Sequence, residues 1–240
     1  MASTTLLLIC LAVGVGLDNG QDISAIPSEK VIRFLHSLSG FFSGERQLSE
    51  EKEKNSLHQH SLVEVYYIPI DVQIFHPIPT FYMQQFVNKV TTKRHIVTVT
   101  EDDDGLIHVT PYNVTVDVSF HRNGSLDHDG VYRLRRKDVS THPNCVAVYA
   151  EMEHAVFFGS WPDCEISLDL DNPKYSNLLT CHYTSSLVSH PGAKEGANPV
   201  PFVANKAHRE LLPYMMYGRP NLESSCGPTP PGRKIEWPST

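Results

Sequence analysis

The segment Ile107 to His121 alternates more cleanly than any other part of the chain. Tyr112, Val114, Val116, Val118 and Phe120 fall on one face, and Asn113, Thr115, Asp117, Ser119 and His121 on the other. Successive strand side chains point to opposite sides, so the apolar row forms one surface and must be buried against something. Further runs read as strands: Leu62 to Ile70, Val72 to Phe75, Phe81 to Val87, His95 to Thr100 and Tyr132 to Arg135. Proline-rich His76-Pro77-Ile78-Pro79 marks an edge or bend, and Asp102-Asp103-Asp104-Gly105 a hairpin turn. From His142 to Tyr183 the chain reads as an antiparallel meander. One strand carries Val146, Val148 and Ala150 on one face, a second runs from Ala155 to Ser160, and a third alternates Ile166, Leu168 and Leu170 with polar residues. Asp171-Asn172-Pro173-Lys174 turns the chain into a run from Asn177 to Ser185. About nine strands without βαβ alternation predict an antiparallel barrel or sandwich.

Ahead of these strands, Ser28 is an N-cap, and Val31, Phe34, Leu35 and Leu38 form an apolar stripe that Gly40 ends. The spacing predicts a helix that plugs or covers one end of a sheet. Glu45 to His60 is charge-dense and predicts an exposed helix or loop. With 40% apolar residues over 240, the chain can bury a sizeable core as one domain. Its formal charge of −7 and one short basic run, Arg133, Arg135, Arg136 and Lys137, disfavour nucleic acid or an acidic membrane as partner.

Leu6 to Leu17 is an apolar run of twelve residues, too short to span a bilayer, and reads as a secretory signal within residues 1–20. No later run is long enough for a membrane span, so a secreted, extracellular product is expected. Without Cys10 the mature chain has Cys145, Cys164, Cys181 and Cys226, which allow three connectivities. The meander favours Cys145 with Cys164, and the pairing of Cys181 with Cys226 would hold the Pro/Gly-rich end of the chain to the sheet. Asn113 and Asn123 head N-x-[ST] sequons and are expected glycosylation sites. Residues 21–189 form the predicted barrel domain and residues 190–240 a C-terminal extension, with a short helix over Ala204 to Leu212.

Metal chemistry finds little support. No cysteine pair has zinc-finger spacing, and His58 and His60 read as exposed histidines without a third ligand beside them. Glu101 to Asp104 could hold calcium weakly, but four acids at a hairpin tip are more often simply solvated. Neither a nucleophile elbow nor a phosphate loop is present in the sequence.

Several short motifs carry a family resemblance. Leu38-Ser39-Gly40-Phe41-Phe42 with Gln47 downstream, Phe81-Tyr82-Met83-Gln84-Gln85, Asp104-Gly105, Asn144-Cys145, Phe157-Phe158-Gly159 and Cys164, in this order, resemble the CpeT/CpcT phycobiliprotein lyases over roughly Ser28 to Ser189. The resemblance implies a calycin-type, lipocalin-like antiparallel β-barrel whose cavity holds a linear tetrapyrrole, a bilin, and delivers it to a cysteine of a phycobiliprotein. It implies ligand contacts from Tyr82, Gln84, Gln85, Lys93 and Arg94. The family's motif glutamate, its candidate proton donor, is Gln84 here, and its Tyr-Arg-x-Arg pattern falls on Thr92-Lys93-Arg94-His95. A glutamine is not a workable general acid, so no catalytic residue is assigned.

Three functions stay open. The leading one is a secreted barrel that binds a small apolar or tetrapyrrole-like ligand. The second is a lyase attaching a bilin to a protein thiol, disfavoured by Gln84 and by an oxidising compartment. The third is a structural glycoprotein of an extracellular or mineral matrix, with matrix components as partners and no ligand. Dimerisation is left open.

Overall fold

The computed structural model describes residues 27–56, 60–116, 128–141, 145–161, 174–189, 201–208 and Cys226. Helix α1 (Glu29–Leu38) starts where the Ser28 hydroxyl accepts the Val31 N–H at 3.2 Å and stops at Gly40, whose φ of 123° suits only glycine. Strand β1 (Gly40–Ser43) follows directly, then helix α2 (Glu45–Glu53), which buries none of its residues. Strands β2 (Val63–Ile70), β3 (Thr80–Val87), β4 (Val90–Glu101) and β5 (Ile107–Val114) come next. After them lie a short helix α3 (His128–Tyr132) and strands β6 (Val139–Thr141), β7 (Ala147–Glu153), β8 (Val156–Ser160), β9 (Lys174–Thr180), β10 (Tyr183–Ser189) and β11 (Phe202–His208).

Every described pairing between these strands is antiparallel, and the sheet closes on itself. Walking round from β1 through β2, β3, β4, β5, β7, β8, β9 and β10 to β11 returns to β1, while β6 adds to the far half of β5. Among the described residues this is a closed ten-stranded antiparallel barrel with a short N-terminal helix, one of the two forms the alternation allowed and the one the resemblance implied.

Two apolar clusters sit on opposite sides of the sheet. The first unites Phe34 and Leu35 of α1 with Phe42, Phe81, Val97, Ile107, Tyr149, Phe157, Leu179 and Ala204. Strands all around the ring reach that cluster, so it is the barrel interior, and α1 closes it at one end. The second lies outside: Ile70, Tyr82, Ile96 and Tyr112 of β2 to β5 pack beneath Val72, Phe75, Val131, Leu134 and Val139.

Several local expectations need correction. Residues Gln73–Phe75 form a 3-10 turn that lays Phe75 on the outer cluster, and the strand expected near Tyr132 is the end of α3. The run from Asn177 to Ser185 is the hairpin of β9 and β10, bent at Cys181 and His182. On β7 the buried row is Ala147 and Tyr149 rather than Val148 and Ala150. The helix expected from Ala204 is strand β11, which pairs with β1 and β10 and removes two open edges, so the barrel extends past the expected boundary at Ser189. The expected strand Ile166 to Leu170 lies outside the described residues. Among the described residues no helix is long and apolar enough to cross a membrane.

Candidate functional site

Exposure changes steadily along the inward rows. On β3, Phe81 is fully buried and Met83 and Gln85 are half-buried; on β4, Val97 is buried, His95 half-buried and Lys93 exposed. On β5, Ile107 is buried while Val109, Pro111 and Asn113 are half-buried, and on β2 buried Pro69 gives way to half-buried Tyr67, Val65 and Val63. Neighbouring strands run antiparallel, so these four trends share one spatial direction, away from α1. Inward-facing residues of a closed barrel keep solvent access only if the lumen is open at that end. Among the described residues the interior is therefore sealed by α1 and, along β2 to β5, open opposite to it.

Polarity follows the same gradient. The sealed end is held by Arg33, which donates to both Glu151 oxygens at 2.8 and 2.7 Å, and by the Lys30 to Glu101 ion pair at 2.8 Å. The Arg33 guanidinium, with the Ala155 N–H, holds the Glu151 carboxyl below its ordinary range despite its partial burial. Lys206 reaches the His36 carbonyl at 3.1 Å and the Ser37 carbonyl at 2.5 Å, where the carbonyl end of α1 attracts positive charge. Midway along, the Tyr149 hydroxyl donates to Asn177 Oδ1 at 3.2 Å, and Asn177 Nδ2 donates to Thr184 Oγ1 at 2.7 Å and Ser186 Oγ at 2.9 Å. Tyr149 lies flat over Gly159, where a Cβ would come within 2.4 Å of the ring.

The five residues expected to meet a ligand divide between the two sides of the sheet. Gln85 and Lys93 are register partners on the inward row near the open end. Tyr82 and Gln84 lie on the outward row, 0% and 3% exposed, with the Tyr82 hydroxyl donating to Gln84 Oε1 at 3.2 Å and Gln84 Nε2 to Thr91 Oγ1 at 3.0 Å. Arg94, opposite Gln84, is exposed on that outward row. The position of the family's motif glutamate thus faces away from the lumen.

Lys93 is unusual among the cations. Its side chain reaches solvent, yet the protein crowded around it lowers the ammonium pKa, and both are true of a group on the wall of a concave opening. Among the described residues its ammonium makes no hydrogen bond or ion pair. Deeper in, burial pushes the Tyr67 phenol up to about 12 and raises that of Tyr149, which Tyr67 raises further. Tyr67, Tyr149 and Asn177 were not singled out from sequence. Their residue types are polar enough to notice, but alternation alone does not say which row of a strand faces the lumen.

The remaining expected sites are placed as follows. Asn113 lies on the inward row beside the open end, paired with His95, and Asn123 lies outside the described residues. Cys181 and Cys226 are bonded, with Cα atoms 5.2 Å apart; Cys145 is disulfide-bonded and Cys164 lies outside the described residues. His58 lies outside them too, while His60 Nδ1 pairs with Glu51 at 2.5 Å beside α2. Asp102 is a turn residue: its carboxylate accepts the Leu106 N–H at 2.8 Å and meets His108 Nε2 at 2.7 Å, which holds its pKa low. Among the described residues no three His, Cys, Asp or Glu side chains group as metal ligands.

The T-type phycobiliprotein lyase CpeT from Prochlorococcus phage P-HM1 is similar to this chain with a TM-score of 0.44 and 12% identity, over 75% of this chain and 98% of that one. No protein-family model and no curated protein matches the chain.

Proposed function

We propose that this protein is a secreted carrier of an apolar ligand that bears a carboxylate, with a linear tetrapyrrole as the ligand the motif resemblance implies. One observation carries the reading: Lys93 stands on the lumen wall opposite Gln85 with no partner among the described residues. An ammonium crowded by protein yet still wet is incompletely hydrated, and a carboxylate arriving there would add a charge-assisted hydrogen bond. Half-buried Met83, Val109 and Phe202 supply the apolar wall beyond it. Gln84 lies on the opposite side of the sheet, so proton donation to a lumen ligand from that position is disfavoured, and with it the lyase reading.

Titration with biliverdin and with a long-chain fatty acid tests the proposal, using visible absorbance for the first and displacement of a fluorescent fatty acid for the second. Saturable binding by the natural protein, weakened at least tenfold in Lys93→Met, is the expected result. Binding of neither ligand, or binding indifferent to Lys93→Met, rejects it. Covalent bilin transfer to a phycobiliprotein subunit by the natural sequence would reinstate the lyase. The extracellular part of the reading rests on the N-terminal apolar run and the sequon at Asn123, because Asn113, half-buried on the inward row, is poorly placed to carry a glycan. Expression in a eukaryotic host should deliver protein to the medium that loses mass on enzymatic removal of N-glycans; retention in the cytosol at precursor mass would refute it.

A further inference from the structure

Tyr67 lies on the inward row of β2, paired with Met83 and meeting Phe42 edge-on at 6.2 Å between ring centroids. Among the described residues its hydroxyl makes no hydrogen bond. Its neighbour Tyr149 differs: that hydroxyl donates to Asn177, whose amide is itself used by Thr184, the Ser185 carbonyl and Ser186. One phenol of the pair is thus built into the wall, and the other leaves a donor facing the half-open lumen. Tyr67 is half-buried and its hydroxyl is not among the fully buried atoms that lack a partner, so solvent in the lumen reaches it, and a ligand that displaces that water must supply an acceptor in its place.

We infer that Tyr67 anchors the lumen ligand by donating to a neutral oxygen acceptor, such as a ketone, ester or lactam carbonyl. The inference rests on the carrier reading and extends it from one polar contact to two. Lys93 pairs with Gln85, which pairs with Val65; Tyr67 pairs with Met83, which pairs with His95. Tyr67 is therefore two residues deeper and two strands over, roughly 12 Å from Lys93 by ordinary strand spacings. The ligand class that satisfies both is apolar, with a carboxylate near the opening and a neutral carbonyl further in. A hydrocarbon tail alone would leave the phenol unpaired.

Two naphthalene probes that differ in one group test this: 6-propionyl-2-(dimethylamino)naphthalene and 2-(dimethylamino)naphthalene. Tyr67→Phe keeps the ring against Phe42 and removes only the O–H. The expected result is a threefold to tenfold loss of affinity for the carbonyl probe, of the order a single neutral hydrogen bond supplies, with a blue shift of its bound emission. The carbonyl-free probe should bind the variant as before. Equal losses for both probes, or none for either, overturn the inference. The infrared carbonyl stretch of the probe on the natural protein is independent of whether the variant folds: a frequency lowered from its value in hexane supports the hydrogen bond, and an unshifted one refutes it. Should Lys93-dependent fatty-acid binding persist while the carbonyl makes no difference, this inference falls and the carrier reading stands. Failure of every probe and fatty acid to bind would sink both.

Discussion

The two ends of the barrel use the same strands for opposite purposes. At the α1 end the inward residues are large and apolar, Phe81, Val97, Ile107 and Phe157, and three cations there have partners: Arg33 with Glu151, Lys30 with Glu101, Lys206 with the helix carbonyls. Two inward positions beyond Phe81 and Val97 stand Gln85 and Lys93, and three beyond Ile107 stands Asn113, all half-buried or exposed, and the charge among them has no partner within the described residues. Stability and recognition are separated along the barrel axis. Conserving that division lets the open end carry an uncompensated cation, because the folding free energy comes from elsewhere.

If the division is real, substitutions at the sealed end should unfold the protein and those at the open end should not. Phe34 is fully buried and meets Tyr149 and Phe157 edge-to-face, each at 5.0 Å. Phe34→Ala should cost about 3 to 5 kcal/mol in urea denaturation; a loss below 1 kcal/mol would mean that α1 is not the seal. Cys181→Ser with Cys226→Ser removes a bridge spanning 45 residues. This double variant should lose about 2 to 5 kcal/mol, read as a lower denaturation midpoint; reduction of the natural protein, which also opens the bridge at Cys145, should lower it further. Gly159→Ala forces the Tyr149 ring off its strand and should cost about 1 to 3 kcal/mol, with a change in the near-ultraviolet circular dichroism of the tyrosines. An unchanged spectrum and midpoint would disprove that contact.

The Arg33 to Glu151 pair sharpens the comparison through pH. Because Arg33 holds the Glu151 carboxyl below its unfolded value of about 4.3, the pair contributes stability above that pH and loses it as pH falls through the lower folded value. Arg33→Met should cost about 1 to 2 kcal/mol near neutral pH, between exposed and fully buried pairs, and should flatten the acid limb of the stability profile. An acid limb identical to that of the natural protein would show that other carboxylates set it. The smallest stability effect belongs to the open end: Lys93→Met should stay within about 0.5 kcal/mol, while abolishing the pH dependence of carboxylate binding at alkaline pH. In the natural protein that binding should decline as pH rises through a Lys93 pKa set below the ordinary lysine value. A large stability loss in this variant would collapse the distinction between the two ends.

The strand run from Ile107 illustrates how far sequence reasoning reaches. Its period of two called for a strand to His121 with one buried face; Tyr112 and Val114 do pack in an apolar cluster, but the strand stops at Val114, Val116 is exposed, and residues 117–121 lie outside the described residues. That cluster lies outside the barrel, beneath Val131, Leu134 and Val139, while polar Asn113 takes the inward row. Alternation specifies that two faces differ and leaves open which one a closed sheet turns inward. Phe202 to His208 presents the converse problem. Its residues carry too little pattern to distinguish strand from helix, and only the need of β1 and β10 for a partner makes the segment extended.

By itself the sequence determined what local chemistry controls: the cap at Ser28 and the end of the helix at Gly40, the turn at Asp102 to Gly105, the strands that alternate strongly, and an antiparallel all-β class. The tertiary structure alone decided which residues face one lumen. Lys93 and Gln85 meet there, Tyr82 and Gln84 turn away, and Tyr67 faces the interior with Tyr149 from a strand distant in the chain. The physical reason is closure. A strand's pattern is a local property, but inside and outside exist only after the last strand has paired with the first.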